Sequence, residues 1–172
     1  MADIRLTNSR SPRGRTPRRF ALFLLLSLCL IGIDQLTKFW VTQTLAYGTA
    51  IYVTSFFNLC HVVNTGAAFS FLGEAGGWQI FLFSGFALIV SAAVIWMLYK
   101  HNDKTLLSLC LAAVLAGAVG NLIDRMLLGH VVDFLDFHLA GWHWPAFNVA
   151  DIAVCTGAFG AVALEFFEGK HH

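Results

Sequence analysis

Four apolar runs, at residues 19–41, 78–99, 106–123 and 147–167, leave this chain few ways to fold. A helix rises about 1.5 Å per residue, so runs of this length match the ~30 Å hydrocarbon layer of a bilayer. Lipid offers backbone N–H and C=O groups no partners, and a segment this long and continuously apolar satisfies them only as a helix. Composition agrees, with 58% hydrophobic and only 12% charged residues, against about 25% charged in a typical soluble domain. The expected fold is a membrane all-α protein of four transmembrane helices.

The first run is read as a retained span. Its apolar stretch is followed by Asp34-Gln35-Leu36-Thr37-Lys38, which has no small-x-small cleavage pattern, and apolar residues resume at Phe39. Residues 78–99 carry no charge at all and close on Tyr99 and Lys100, an interfacial pair. In the third run Ala112, Ala116 and Gly120 recur every four residues, as do Ala153, Gly157 and Ala161 in the fourth. Such small-residue stripes let helices pack closely.

Charge sets the expected orientation. Of the eleven Lys and Arg residues, six (Arg5, Arg10, Arg13, Arg15, Arg18 and Arg19) precede Phe20, where the apolar residues of the first run begin. With that tail in the cytoplasm, every cation except Lys38 and Arg125 falls on the inner side, as the positive-inside rule requires for an even number of spans. Both termini are then cytoplasmic. Residues 1–18 form a basic tail, 19–168 one membrane domain and 169–172 a C-terminal tail. The arginine tail has no aromatic residue before Phe20, which argues against nucleic-acid binding and leaves contact with anionic membrane lipid open. Four cysteines without Cys-x-x-Cys spacing point to neither a disulfide framework nor a zinc ribbon.

Between the first two spans, residues 46–72 read differently. Ala50-Ile-Tyr-Val-Thr-Ser-Phe-Phe and Leu59-Cys-His-Val-Val are β-branched and aromatic, and Asn58 separates them, which predicts two short strands on the outer surface. The turn Asn64-Thr65-Gly66 and an apolar stretch at 67–71 follow.

The chemistry is expected among carboxylates near the span ends, since charge near hydrocarbon is costly and marks function by default. Asp34 has Lys38 four residues on, a ready ion pair, and is assigned a structural role. Asp124 adjoins Arg125 and follows Asn121, which suits a hydrogen-bonded scaffold closing the third helix. Arg125 is a candidate to hold a carboxylate of the site. Asp136 is read as solvated, in a segment taken as loop. Asp133 and Asp151 have no Lys or Arg within four positions and are the candidates for perturbed protonation. Two carboxylates close together in a poorly solvated place cannot both ionise cheaply, so one keeps a proton while the other acts as a base, the pairing needed to activate water against an amide. Asn64 and Asn148 bring amides that can donate to a carbonyl or orient an aspartate. His61, His130, His138 and His143 show no helical His-x-x-x-His spacing, so no metal site is assigned.

Five blocks carry a family resemblance: Asp34-Gln-Leu-Thr-Lys38, Asn64-Thr-Gly-Ala-Ala-Phe-Ser70, Gly120-Asn-Leu-Ile-Asp-Arg125, Gly129-His-Val-Val-Asp-Phe134 and Phe147-Asn-Val-Ala-Asp151. In this order the chain closely resembles the bacterial lipoprotein signal peptidases, the type II signal peptidases. The resemblance implies a cofactor-free, monomeric aspartic endopeptidase of the cell inner membrane, active at its periplasmic face. Such enzymes cleave prolipoproteins just before a diacylglyceryl-modified cysteine. It implies Asp133 and Asp151 as the catalytic pair, with Asp34, Lys38, Asn64, Gly66, Asn121, Asp124, Arg125 and Asn148 as binding or supporting positions and no metal. The strands between the first two spans correspond to the family's periplasmic cradle. Trp142-His-Trp-Pro145 lies outside the matched blocks.

The competing classes are a proton-coupled transporter, for which outer-face carboxylates would also be natural, and an inactive homologue. Against a transporter, the carboxylates gather at one face and no helix looks broken at mid-depth.

Overall fold

The structure, a computed structural model, describes residues 14–66 and 77–168. Most of the arginine tail, the 67–71 stretch and the C-terminal residues lie outside the described residues. Four helices appear where the apolar runs predicted them: α1 (Pro17–Thr44), α2 (Trp78–His101), α3 (Thr105–Leu128) and α4 (Val149–Glu168). Local chemistry fixes their ends. Pro17 starts α1 and the Thr16 hydroxyl accepts from the Arg19 N–H at 3.2 Å, because proline suits the first helical position and threonine caps it. α3 runs five residues past the predicted end at Ile123 and stops at Gly129, whose left-handed φ of 75° lets its N–H reach the Arg125 carbonyl.

α3 packs against each of the other helices and is the most buried of them. Its glycines set the spacing. A Cβ on Gly117 would strike the Ala150 carbonyl of α4, and α4 answers with Gly157 against the Cys110 carbonyl of α3. Ala112 and Ala116 of the predicted stripe are buried, and the Ala112 carbonyl accepts from Ser27 of α1 at 2.9 Å. Phe23, Val94, Leu98, Leu107, Leu111 and Leu115 fill the space between α1, α2 and α3. The outer faces stay apolar, with Leu22, Phe81, Ile89, Phe159 and Val162 exposed as lipid-facing residues.

The sheet is larger than predicted. The two expected strands appear as β1 (Ala50–Thr54) and β2 (Phe57–Asn64), but the turn falls at Ser55–Phe56, and Asn58, the expected separator, is paired inside β2. Strands β3 (Val131–Leu139) and β4 (Trp142–His143) extend the sheet to four antiparallel strands in the order β1-β2-β3-β4. Half of the sheet therefore comes from between α3 and α4. β3 lies over the bundle, with Val132 and Phe134 packed on Val41 and Leu45 at the end of α1. Its register sets Asp133 opposite Val62 and Asp136 opposite Asn58. Asp136 is consequently a buried strand residue and not the solvated loop residue expected.

Candidate active site

The four helices and the sheet bring every polar residue singled out above to one end of the bundle. From α1, Asp34 and Lys38 are buried, and the Lys38 ammonium lies 2.8 Å from Asp34 and 2.9 Å from Asp124 of α3. The ion pair predicted within α1 therefore also bridges to α3. Asp34 accepts the Ala150 N–H at 2.8 Å at the start of α4, and Asp124 accepts the Val132 N–H at 3.2 Å at the start of β3. This cluster ties α1, α3, α4 and the sheet together. Gln35, not assigned a role from sequence, donates to Asp124 at 2.9 Å and to the Gly120 carbonyl at 3.1 Å. Its position beside Asp34 inside a span was the one signal for it.

Lys38 also donates to Asn121 Oδ1 at 2.9 Å. With its oxygen turned to the ammonium, Asn121 points its amide nitrogen at Asp151 Oδ1, 2.7 Å away. Asn148 acts as a second bridge: its Nδ2 lies 2.7 Å from Asp133 Oδ1 and 3.2 Å from Asn121 Oδ1. Asn148 and Asp151 also cap α4 reciprocally. The Asp151 N–H donates to Asn148 Oδ1 at 3.0 Å, and the Asn148 N–H donates to Asp151 Oδ2 at 3.2 Å, a capping box built from an asparagine and an aspartate.

On β2, Asn64 serves both of the roles weighed for it. Its Oδ1 accepts the Gly66 N–H at 3.0 Å to shape the turn, and its Nδ2 donates to Asp133 Oδ2 at 3.2 Å. Arg125 departs from expectation. Its guanidinium donates to the Gly66 carbonyl at 3.1 Å and the Asn121 carbonyl at 3.4 Å and lies over the Phe83 ring, so among the described residues it holds the Asn64–Gly66 turn and pairs with no carboxylate. The extension of α3 to Leu128 carries it there.

Asp133 and Asp151 both line a cavity of about 880 Å³ between α2, α3, α4 and the 144–147 segment. The polar end holds the two aspartates with Asn64, Asn121 and Arg125; Leu82, Phe86, Val90 and Val114 line the rest. From Arg125 to Val114 the cavity follows α3 for about 16 Å into the bundle. Burial and the nearby Asp151 charge push the Asp133 carboxyl up to about 7, against the lowering effect of its Asn64 and Asn148 hydrogen bonds and of Lys38. Asp136, three residues along the same strand, goes the other way. Burial opposes its ionisation, but hydrogen bonds from Asn58 and His143 prevail and hold it below the ordinary carboxylate value. Among the described residues, no group of three His, Cys, Asp or Glu side chains is arranged to hold a metal ion.

Fold and site together define a multi-pass membrane protein with a carboxylate centre at the polar end of a deep cavity beneath a small sheet. Comparisons with known proteins narrow this further. The family model described as Signal peptidase (SPase) II matches residues 26–167. A lipoprotein signal peptidase of Cupriavidus necator is 46% identical, covering 96% of this chain and 98% of that protein. One of Ralstonia nicotianae is 52% identical over 77% of each. A bacterial membrane enzyme solved by the in meso method at 2.3 Å resolution superposes with a TM-score of 0.78 at 27% identity, covering 88% of this chain and 91% of that one. The chain belongs to the lipoprotein signal peptidase (signal peptidase II) family, and it is a peptidase embedded in the membrane.

Proposed function

We propose that this chain is an aspartic endopeptidase that removes the signal peptide from prolipoproteins, cleaving before a diacylglyceryl-modified cysteine, with Asp133 and Asp151 as the reacting pair. The observation that carries this reading is the junction of the two aspartates through Asn121 and Asn148 at the polar end of a deep apolar cavity. In this reading residues 19–168 act as one domain. The basic tail and the C terminus are cytoplasmic, and the site lies at the periplasmic face of the inner membrane.

One aspartate, ionised, takes a proton from a water while that water's oxygen attacks the scissile carbonyl. The other, protonated, donates to the carbonyl oxygen as it becomes tetrahedral. Collapse of this gem-diol breaks the C–N bond: the leaving amine takes a proton from the acid that the first aspartate has become, and the second aspartate takes back a hydroxyl proton as the product carboxyl forms, restoring both groups. No acyl-enzyme forms. The elevated Asp133 value suits a group that keeps a proton near neutrality, and the pair titrates as a unit, giving a bell-shaped rate profile. Asn64 and Arg125 border the cavity and are positioned to hold substrate backbone or developing charge, an effect that in other enzymes reaches about 3 kcal/mol per donor. The apolar remainder of the cavity suits a substrate that stays anchored in lipid while its peptide bond meets the aspartates.

The test is cleavage of a diacylglyceryl-modified prolipoprotein by the purified protein in detergent, beside Asp133→Asn and with a chelator added. Cleavage that survives chelation and vanishes in the variant supports the aspartic mechanism, and a variant of full activity overturns it.

A further inference from the structure

A second cluster, away from the two reacting aspartates, joins Asp136, His143, Asn58 and His138. Asp136 faces Asn58 across β2 and β3, and Asn58 donates to its Oδ2 at 2.9 Å. From the other side His143 Nδ1 lies 2.8 and 3.0 Å from the two carboxylate oxygens, and opposite an ionised carboxylate that nitrogen carries the hydrogen. The His138 ring stacks on His143, centroids 4.9 Å apart, as their direct pairing across β3 and β4 requires. The reaction described above uses none of these groups.

Their place in the fold gives them a task. β4 is only two residues long and is reached through a turn at Ala140 and Gly141, both at positive φ. Beyond its two register pairs, the Trp144 N–H donates to the Phe137 carbonyl at 2.8 Å, and the backbone next meets β3 where Phe147 pairs with Leu135. So short a strand is weakly held by its backbone alone. Immediately after it, Trp144, Pro145, Ala146 and Phe147 form one wall of the cavity that holds Asp133 and Asp151. Trp144 also lines an apolar hollow of about 350 Å³ on the sheet, with Phe137, Leu139 and Trp142, so it is the partition between the two spaces. Backbone bonds between Phe147 and β3 anchor the far end of this partition, and at its near end Asp136 with His143 adds a side-chain fastening to the short strand.

We propose that His143 is a positioning residue for substrate binding. Clasped by Asp136, it fixes β4 and thereby the Trp144–Phe147 wall against which the prolipoprotein lies. The inference rests on the cavity being the substrate site. Asn58 orients Asp136, and His138 backs the His143 ring. The His143 side chain is 53% exposed, so its removal leaves no hole in the core and the four spans stay as they are.

The experiment compares His143→Ala and His143→Asn with the wild type for kcat and KM on a prolipoprotein substrate in detergent, with Tm measured for each. Asparagine retains a donor at the position of Nδ1, and alanine does not. The expected result is a KM about five-fold higher in His143→Ala, in keeping with one partly exposed charge-assisted hydrogen bond, with kcat within about two-fold of wild type, Tm unchanged, and His143→Asn close to wild type in both constants. An unchanged KM in His143→Ala overturns the proposal. So does a KM raised equally in both variants, or a loss that appears in kcat or follows Tm. Asp133→Asn run alongside judges the reacting pair separately, since cleavage by that variant strikes the dyad and leaves the alanine–asparagine contrast standing.

Discussion

Between α1 and α3, Asp34 and Asp124 share the ammonium of Lys38; between β3 and α4, Asp133 and Asp151 are met by amides and a backbone N–H, with no direct ion pair among the described residues. Both pairs lie in one hydrogen-bonded network, and Asn121 touches each side of it. The first arrangement compensates charge. Opposite charges cancel, backbone donors take up the remaining oxygens, and the carboxylates become joints between helices. The second withholds compensation. Amides orient the oxygens but do not neutralise them, so protonation of Asp133 stays available near neutral pH. Burial alone does not make an aspartate reactive; the absence of a counter-charge in direct contact separates the two pairs.

The sharpest way to break this comparison is to exchange Asp for Asn in each pair. Asp133→Asn or Asp151→Asn is expected to lower prolipoprotein cleavage by about 10⁴-fold or more, since loss of a catalytic acid or base in a concerted pair removes nearly all the chemistry. The protein should still accumulate in the membrane. A variant that fails to accumulate would mean that the second pair is structural like the first.

Lys38→Met strikes the other side. It leaves two buried carboxylates without their cation, and a broken buried pair costs about 3–5 kcal/mol. Thermal unfolding in detergent should show a large fall in Tm and poor membrane accumulation. A stable Lys38→Met protein would erase the distinction drawn here.

The comparison can also be read from pH. An unfolded aspartate titrates near 3.9 and Asp133 in the fold near 7, so between these values the folded state binds the extra proton. Stability contributed by this group is then fully present below about pH 4 and is lost as pH rises towards 7. Asp133→Asn cannot ionise and escapes that loss, so its stability relative to wild type, read from thermal unfolding, should be greater at pH 8 than at pH 5 by on the order of 2–3 kcal/mol, its amide mismatches being the same at both pH values. A difference independent of pH would show that Asp133 is ionised throughout.

The smallest effect is expected at Asn64. Its amide donor favours the charged form of Asp133, so Asn64→Ala should move the corresponding limb of the rate profile to higher pH and lower kcat/KM by about ten-fold, the worth of one hydrogen bond to a charged group. A limb that stays in place would detach Asn64 from the pair.

The four spans were legible because hydrocarbon thickness imposes a length that composition reveals directly. Their ends were less so, since Pro17 with Thr16 and the left-handed Gly129 are cap signals outside the apolar runs. β3 was hidden for a different reason. Asp133 and Asp136 interrupt the apolar residues of Val131–Leu139, and buried aspartates held by partners far away in sequence look like loop residues. The absence of any local cation singled out Asp133 and Asp151, and the Asp34–Lys38 spacing gave the ion pair. The reach of Arg125 to Gly66 depends on how far α3 continues and on a turn brought over it by the sheet, which no local pattern records.

The reciprocal cap at Asn148 and Asp151 carries a further consequence, for how this sequence tolerates insertion. Asp151 is locked to the first turn of α4 by its own backbone, so its bearing about the helix axis is set by the count of residues from Asn148. One residue added between them would swing the carboxylate by about 100° away from Asn121. The 140–146 stretch can change in length at far smaller cost, provided β4 is still fastened, whereas the spacing from Asn148 to Asp151 is as rigid a requirement as the two side chains themselves.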